Sequence, residues 1–255
     1  MGESTTRTAP RGAGTNKGPV GSRAGQRLSG LAVALGLVLF LGGFGWAALV
    51  YRPYTVPTGS MTPTIGVGDR VLAQRVDGSA VRRGDVVVFH DKTWVQNSAV
   101  VKRVVAVGGD TVSCCKQGKL TVNGKEIDEP YLKGGVAEIT NFPTVKVPEG
   151  RLFLLGDERQ GSLDSTAHLT DAASGTVPRS AVDARVDAVI WPMKGMLQRP
   201  TGFEVFGALS QPGPLRTMVL LIAVGAVLVL AGGAYGPIAK RMGGSRARTE
   251  PARAR

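Results

Sequence analysis

Residues 99 to 107 read Ala99-Val100-Val101-Lys102-Arg103-Val104-Val105-Ala106-Val107, a run with five valines and no glycine or proline. β-branched side chains are stiff in a helix and pack well on a pleated surface, so this run is a strand. A period of two puts Val100, Lys102 and Val104 on one face and Arg103 on the other. An ammonium set among valines loses water, which favours its neutral form and lowers its pKa. To act as a base near neutral pH, a lysine must move about 3 units from its reference value, a differential of roughly 4 kcal/mol. The competing reading is that Lys102 snorkels out of an edge strand as a plain surface charge. Arg103 is expected to be solvated or ion-paired.

The same pattern recurs outward from this run. Residues 70–76, 85–90, 151–155 and 182–190 are short Val-rich or alternating stretches separated by Gly, Pro and Asp. Leu120-Thr121-Val122 and Lys125-Glu126-Ile127 flank Asn123-Gly124, a strong hairpin signal. The expected fold is mostly β, an antiparallel sheet or barrel-like domain over residues 52–214. Residues 161–175 are polar and ambiguous. Cys114 and Cys115 are adjacent, so a bond between them would be strained; free thiols and a bond to another chain are the alternatives.

Two uncharged apolar runs bound this domain, at 28–51 and 217–239. Each is long enough to cross a hydrocarbon core of roughly 30 Å as a helix. The first exceeds the h-region of a cleaved signal, so a retained anchor is expected. Neither Gly36 nor the Gly42-Gly43 pair has the spaced context from which helix pairing would follow.

The chain has 255 residues and a formal net charge of +12. Residues 1–27 hold five bases against one acid, +4, and residues 240–255 hold six against one, +5, which leaves +3 for everything between. A basic nucleic-acid-binding face on the middle domain is therefore unsupported. Both tails read as disordered and cytoplasmic by the positive-inside rule, with the middle domain on the far side of the membrane.

Two further segments carry chemistry. Val56-Pro57-Thr58-Gly59-Ser60-Met61-Thr62-Pro63-Thr64-Ile65 brackets one serine with prolines and a glycine, which fixes the backbone around a hydroxyl. Taken alone it is a turn containing a serine. Leu154-Leu155-Gly156-Asp157-Glu158-Arg159-Gln160-Gly161-Ser162-Leu163-Asp164-Ser165 runs from a strand into a loop dense in hydroxyls and carboxylates. Its acids do not match calcium-loop spacing, and the two histidines lie far from the cysteines, so no metal is expected.

Together with Arg83-Gly84-Asp85-Val86-Val87-Val88-Phe89 and Gly109-Asp110, these segments occur in the order found in bacterial type I signal peptidases, membrane-bound Ser/Lys-dyad serine proteases of the S26 family, which the region from Val56 to about Trp191 resembles. The resemblance implies Ser60 as nucleophile and Lys102 as general base, Thr58 with the Ser60 amide at the oxyanion, and Ser162 orienting the lysine. It implies that Val56, Met61, Ile65, Val100 and Val101 line small apolar pockets for a substrate of Ala-x-Ala type. Asp157, Arg159 and Asp164 would shape the site by ion pairing. Its partners would be preproteins with signal peptides and the lipid bilayer of the bacterial cell membrane, with no cofactor, metal or nucleic acid. Two positions depart from the family pattern: Val100, where many members carry an aromatic residue, and Thr166, where many carry arginine. The contrasting reading is a non-catalytic membrane-anchored β domain that binds export or envelope proteins; a Ser/Lys protease with a restricted or self-cleaving role is a third.

Overall fold

A computed structural model of the protein describes residues 23–95, 98–133 and 141–245. It divides into two units: one from the two long helices, within residues 23–44 and 219–245, and one from Gly45 to Met218.

The second unit is antiparallel β throughout its pairings. Its larger sheet is built from β1 (Tyr51–Thr55), β2 (Arg70–Arg75), β3 (Val86–His90), β4 (Ala99–Val107), β9 (Arg151–Leu155), β10 (Val177–Pro178), β11 (Val182–Trp191) and β12 (Gly195–Met196). The order is β1-β2-β11-β3-β4-β9-β10, with β12 added to β11. The smaller sheet runs β7-β6-β5-β8, formed by β5 (Thr111–Lys116), β6 (Lys119–Val122), β7 (Lys125–Glu126) and β8 (Phe142–Lys146). Asn123 and Gly124 both have positive φ, 50° and 73°, as a tight two-residue hairpin turn requires. Cys114 and Cys115 are bonded to each other.

Alternation buries three apolar clusters. Val56, Met61, Ile65, Val86 and Val88 form one, Val87, Phe89, Val104 and Leu154 a second, and Val105, Leu120, Ile127 and Phe153 a third that joins the two sheets. The residues 161–175 form loop with a short 3-10 turn at Ser165–His168.

Tyr51, placed in the first apolar span by sequence, begins β1 instead. Its buried hydroxyl donates to Asp187 Oδ2 at 2.9 Å, which gives the phenol a polar partner that hydrocarbon would not. Gly213, just before the second long helix, donates its N–H to the same carboxylate at 3.2 Å, and Arg199 Nη2 donates to Oδ1 at 2.5 Å.

The helical unit contains most of α1 (Arg23–Val50) and of α3 (Leu215–Ser245), whose residues 45–50 and 215–218 fall in the β unit with the short α2 (Lys92–Val95). Gly25–Val50, 26 residues, contains an 18-residue stretch of mean hydropathy 2.2, and Leu215–Tyr235, 21 residues, one of 2.4, so both are long and apolar enough to cross a membrane. Residues 23–27 and 240–245, read as tail from the sequence, continue the helices; the rest of both tails lies outside the described residues. The helices approach closely at glycines. A Cβ on Gly225 would meet Phe40 N at 2.6 Å and Gly36 O at 2.7 Å, and Ser29 Oγ donates to Gly232 O at 2.8 Å. Small residues at such crossings let backbones touch, a pairing not evident from Gly36 in the sequence.

Candidate active site

The serine-bearing loop leaves β1 and returns to β2, closed at its base by Val56 N–H to Asp69 O at 2.9 Å and Gly68 N–H to Val56 O at 2.8 Å. Within it, Thr62 N–H bonds Gly59 O and Ile65 N–H bonds Met61 O, both at 2.9 Å, so Ser60 sits at the start of a tight turn. Two contacts fix this turn to the loop after β9. Glu158 N–H donates to Ser60 O at 3.0 Å, and Thr64 Oγ1 donates to Asp157 Oδ2 at 2.5 Å.

β4 delivers the lysine. Lys102 opposes Val87 on β3, on the face where Val87, Phe89 and Val104 pack. It is 3 % exposed, and its Nζ lies 2.6 Å from the Oγ of Ser60, itself 7 % exposed. Burial lowers the Lys102 pKa to about 8, against the opposing pull of Asp164 and Asp157. An amine with that pKa is partly neutral at physiological pH, and its lone pair can then accept the serine proton. The edge-strand snorkelling reading is thereby set aside for Lys102.

Thr58 is exposed, with its Oγ1 3.4 Å from Ser60 Oγ. Ser162 Oγ is buried and has no hydrogen-bond partner among the described residues. It crowds Gly156, where an added Cβ would meet Ser162 Oγ at 2.2 Å and Ser60 O at 2.4 Å. Only glycine fits at 156, and that close approach brings the β9 loop onto the serine backbone.

Val56, Met61 and Ile65 share one buried cluster, against which Val101 packs. Val100 packs on the opposite face of β4 with Phe89 and Val104, so the structure does not bring it together with the other four. Alternation along the strand separates neighbours 100 and 101 in this way.

The acids hold the frame. Asp164 is fully buried and accepts from Gly156 N–H at 2.9 Å, Thr166 N–H at 3.1 Å and Thr166 Oγ1 at 2.8 Å. Arg103, expected to be solvated or ion-paired, is ion-paired and fully enclosed: Nε and Nη2 donate to Asp157 Oδ1 and Oδ2 at 2.8 and 2.6 Å. Burial works against its charge, but Asp157 holds its pKa above the ordinary value. Arg103 also lies 3.9 Å over the Tyr131 ring, and Arg159 donates to both oxygens of Glu129 at 3.0 and 2.6 Å and to Gly156 O at 2.8 Å. Thr64, Glu129 and Tyr131 were not singled out by the sequence; only the position of Thr64 in the serine segment hinted at a role. Among the described residues no group of three His, Cys, Asp or Glu is placed to hold a metal.

Known proteins match this chain over the same region. A family model described as signal peptidase, peptidase S26, matches residues 28–191. A probable signal peptidase I of Mycobacterium leprae is 34% identical over 200 residues, 56% of this chain and 69% of the relative. The signal peptidase I of Mycobacterium tuberculosis is 34% identical over 194 residues, covering 56% of this chain and 66% of its own length. A signal peptidase IB of Staphylococcus aureus is 32% identical over 180 residues, covering 64% and 86%. A crystal structure of a signal peptidase I from Enterococcus faecalis aligns with a TM-score of 0.33 at 26% identity, over 46% of this chain and 97% of that one. With more than half its length matched, the chain belongs to the signal peptidase family of serine peptidases, peptidase S26.

Proposed function

We propose that Ser60 and Lys102 carry out the signal peptidase I reaction in this chain, cutting N-terminal signal peptides from exported preproteins. The observation that carries this is the 2.6 Å contact between a buried lysine of lowered pKa and a serine hydroxyl.

Neutral Lys102 takes the Ser60 proton as Oγ attacks the scissile carbonyl. The carbonyl oxygen gains negative charge, which the Ser60 N–H and the Thr58 hydroxyl stabilise by donating to it. As the intermediate collapses, the C–N bond breaks and the Lys102 ammonium protonates the leaving amine, the new N-terminus of the mature protein. Water then attacks the acyl ester with Lys102 again as base, releasing the signal peptide and free Ser60.

Substrate preference follows from burial. Val56, Met61 and Ile65 are packed to 2 % exposure or less, so an incoming side chain meets a closed apolar floor rather than a hollow. Methyl-sized groups fit such a floor, which favours Ala-x-Ala before the cut. The segment of β4 before Arg103 has β3 on one side and no β9 pairing on the other, an open edge beside Lys102 where an extended substrate can add as a strand. The basic tails support cytoplasmic termini, with the β unit on the outer face of the bacterial cell membrane, where signal sequences emerge.

The test is cleavage of an Ala-x-Ala preprotein by the full chain in lipid. Ser60→Ala and Lys102→Met should each lower kcat/KM by about a thousandfold or more, and the double variant should be little worse than either. Undiminished cleavage by either single variant would sink the assignment.

A further inference from the structure

A cavity of about 300 Å³ lies in the β unit, lined in part by Arg82, Arg83, Arg179, Phe203, Phe206 and Leu209. That is the lower range of small-molecule pockets and about ten times the volume share of one water. None of the residues assigned above to the dyad, the oxyanion or the apolar floor lines it.

Three guanidiniums converge on two short stretches of backbone. Arg82 Nη1 donates to Ala208 O at 2.9 Å, and Arg83 Nη1 donates to Phe206 O at 3.4 Å. Arg179 Nη1 donates to Gly78 O at 2.7 Å and Val81 O at 2.9 Å. Lys125 joins them, its Nζ 5.9 Å from the centre of the Phe206 ring over which Arg83 also lies, at 5.4 Å.

The balancing charge is short. Arg83 is neutralised by Asp110 through bonds of 2.7 and 2.5 Å. Neither Arg82 nor Arg179 has a carboxylate within ion-pair distance among the described residues, and their Nε and Nη2 groups have no protein partner there. Burial and then the positive charge of Arg83 lower the Arg179 pKa, with exposed Glu149 opposing. Two guanidiniums without an ion-pair partner among the described residues, exposed Arg82 and half-buried Arg179, line one cavity beside the paired Arg83 and can take an anion that the protein does not itself supply. Planar forks with free paired N–H groups match the oxygens of a phosphate.

We propose that this cavity is a binding site for a phosphate group, held by Arg82 and Arg179 and walled by Phe203 and Phe206. A phosphodiester lipid headgroup and a soluble phosphomonoester share that chemistry. The chain geometry allows the first: five residues lie between Leu209 and Leu215, where α3 begins, a span of at most roughly 20 Å.

The full chain, solubilised in neutral detergent, is probed in two arms. Native mass spectrometry compares retention of phosphatidylglycerol with that of phosphatidylcholine, and thermal unfolding is followed with and without millimolar glycerol phosphate. Wild type should retain phosphatidylglycerol preferentially, and the double variant Arg82→Gln with Arg179→Gln should weaken that preference about tenfold, with Arg179→Lys intermediate. The basic tails also attract anionic lipid, but both proteins carry them, so the difference reports the cavity. Selective lipid retention without an effect of glycerol phosphate assigns the site to a lipid headgroup; a raised Tm with glycerol phosphate, lost in the variant, assigns it to a soluble phosphate. Equal behaviour of wild type and double variant in both arms, with preprotein cleavage by the variant confirming that it is folded, overturns the proposal.

Discussion

In the proposed mechanism a single pKa, that of Lys102, controls the rate. The amine must be neutral to accept the Ser60 proton, and its pKa is about 8. At pH 7 about one tenth is in the free-base form, so kcat/KM should fall about tenfold per pH unit below 8 and level off above it. A profile flat down to pH 5 would remove Lys102 from the mechanism. Thr166 offers a way to move the curve. Asp164 raises the Lys102 pKa and is bonded by the Thr166 hydroxyl rather than by an arginine. A guanidinium there would offset the Asp164 charge, so Thr166→Arg should shift the acid limb down by about one unit, while Thr166→Val should leave it in place. Initial rates across pH 5 to 9 distinguish the two. Asp157 is a stability residue by the same reasoning. Without it Arg103 is a buried, unpaired charge, and Asp157→Ala should cost about 3 to 5 kcal/mol in denaturant unfolding of the solubilised chain. Pairing Arg103→Met with Asp157→Leu should recover most of that loss.

Among the elements, what the sequence revealed depended on how much apolar surface each strand carries. β2, β3, β4, β9 and β11 are central in their sheet and rich in valine or leucine, and their pattern is plain. β1 and β8 went unrecognised because each contains a proline, Pro53 or Pro143, which is tolerated since both strands end a sheet. β5 buries only Val112 and Cys114 among its six residues, too few for alternation to stand out. The site divides similarly. Ser60 and Lys102 were legible through the resemblance, but their meeting across 42 residues is a product of the sheet. Glu129 and Tyr131 lie in a stretch with no motif, and only packing reveals that they complete the arginine network. The glycine crossing of α1 and α3 is a property of the helix pair. Gly225→Leu would drive a side chain into Phe40 and Gly36 backbone, so it should destabilise the pair by about 1 to 3 kcal/mol, read as an earlier midpoint in SDS titration.

At the scale of the whole molecule, the charge of +12 bears on the proposed topology. Its concentration at both ends predicts that cysteines introduced as Ser4→Cys and Thr249→Cys react with an impermeant maleimide only after cells are opened. Labelling of either in intact cells would invert the proposed orientation.

Asp157 holds the serine turn through Thr64 and the lysine strand through Arg103, and the residue after it bonds the Ser60 carbonyl. The proposed nucleophile and base are thus mounted on a common post. Thermal displacements that reach the post carry both partners the same way, so their separation should vary less than the position of either one. Correlated motion of this kind would keep the distance for the proposed proton transfer short.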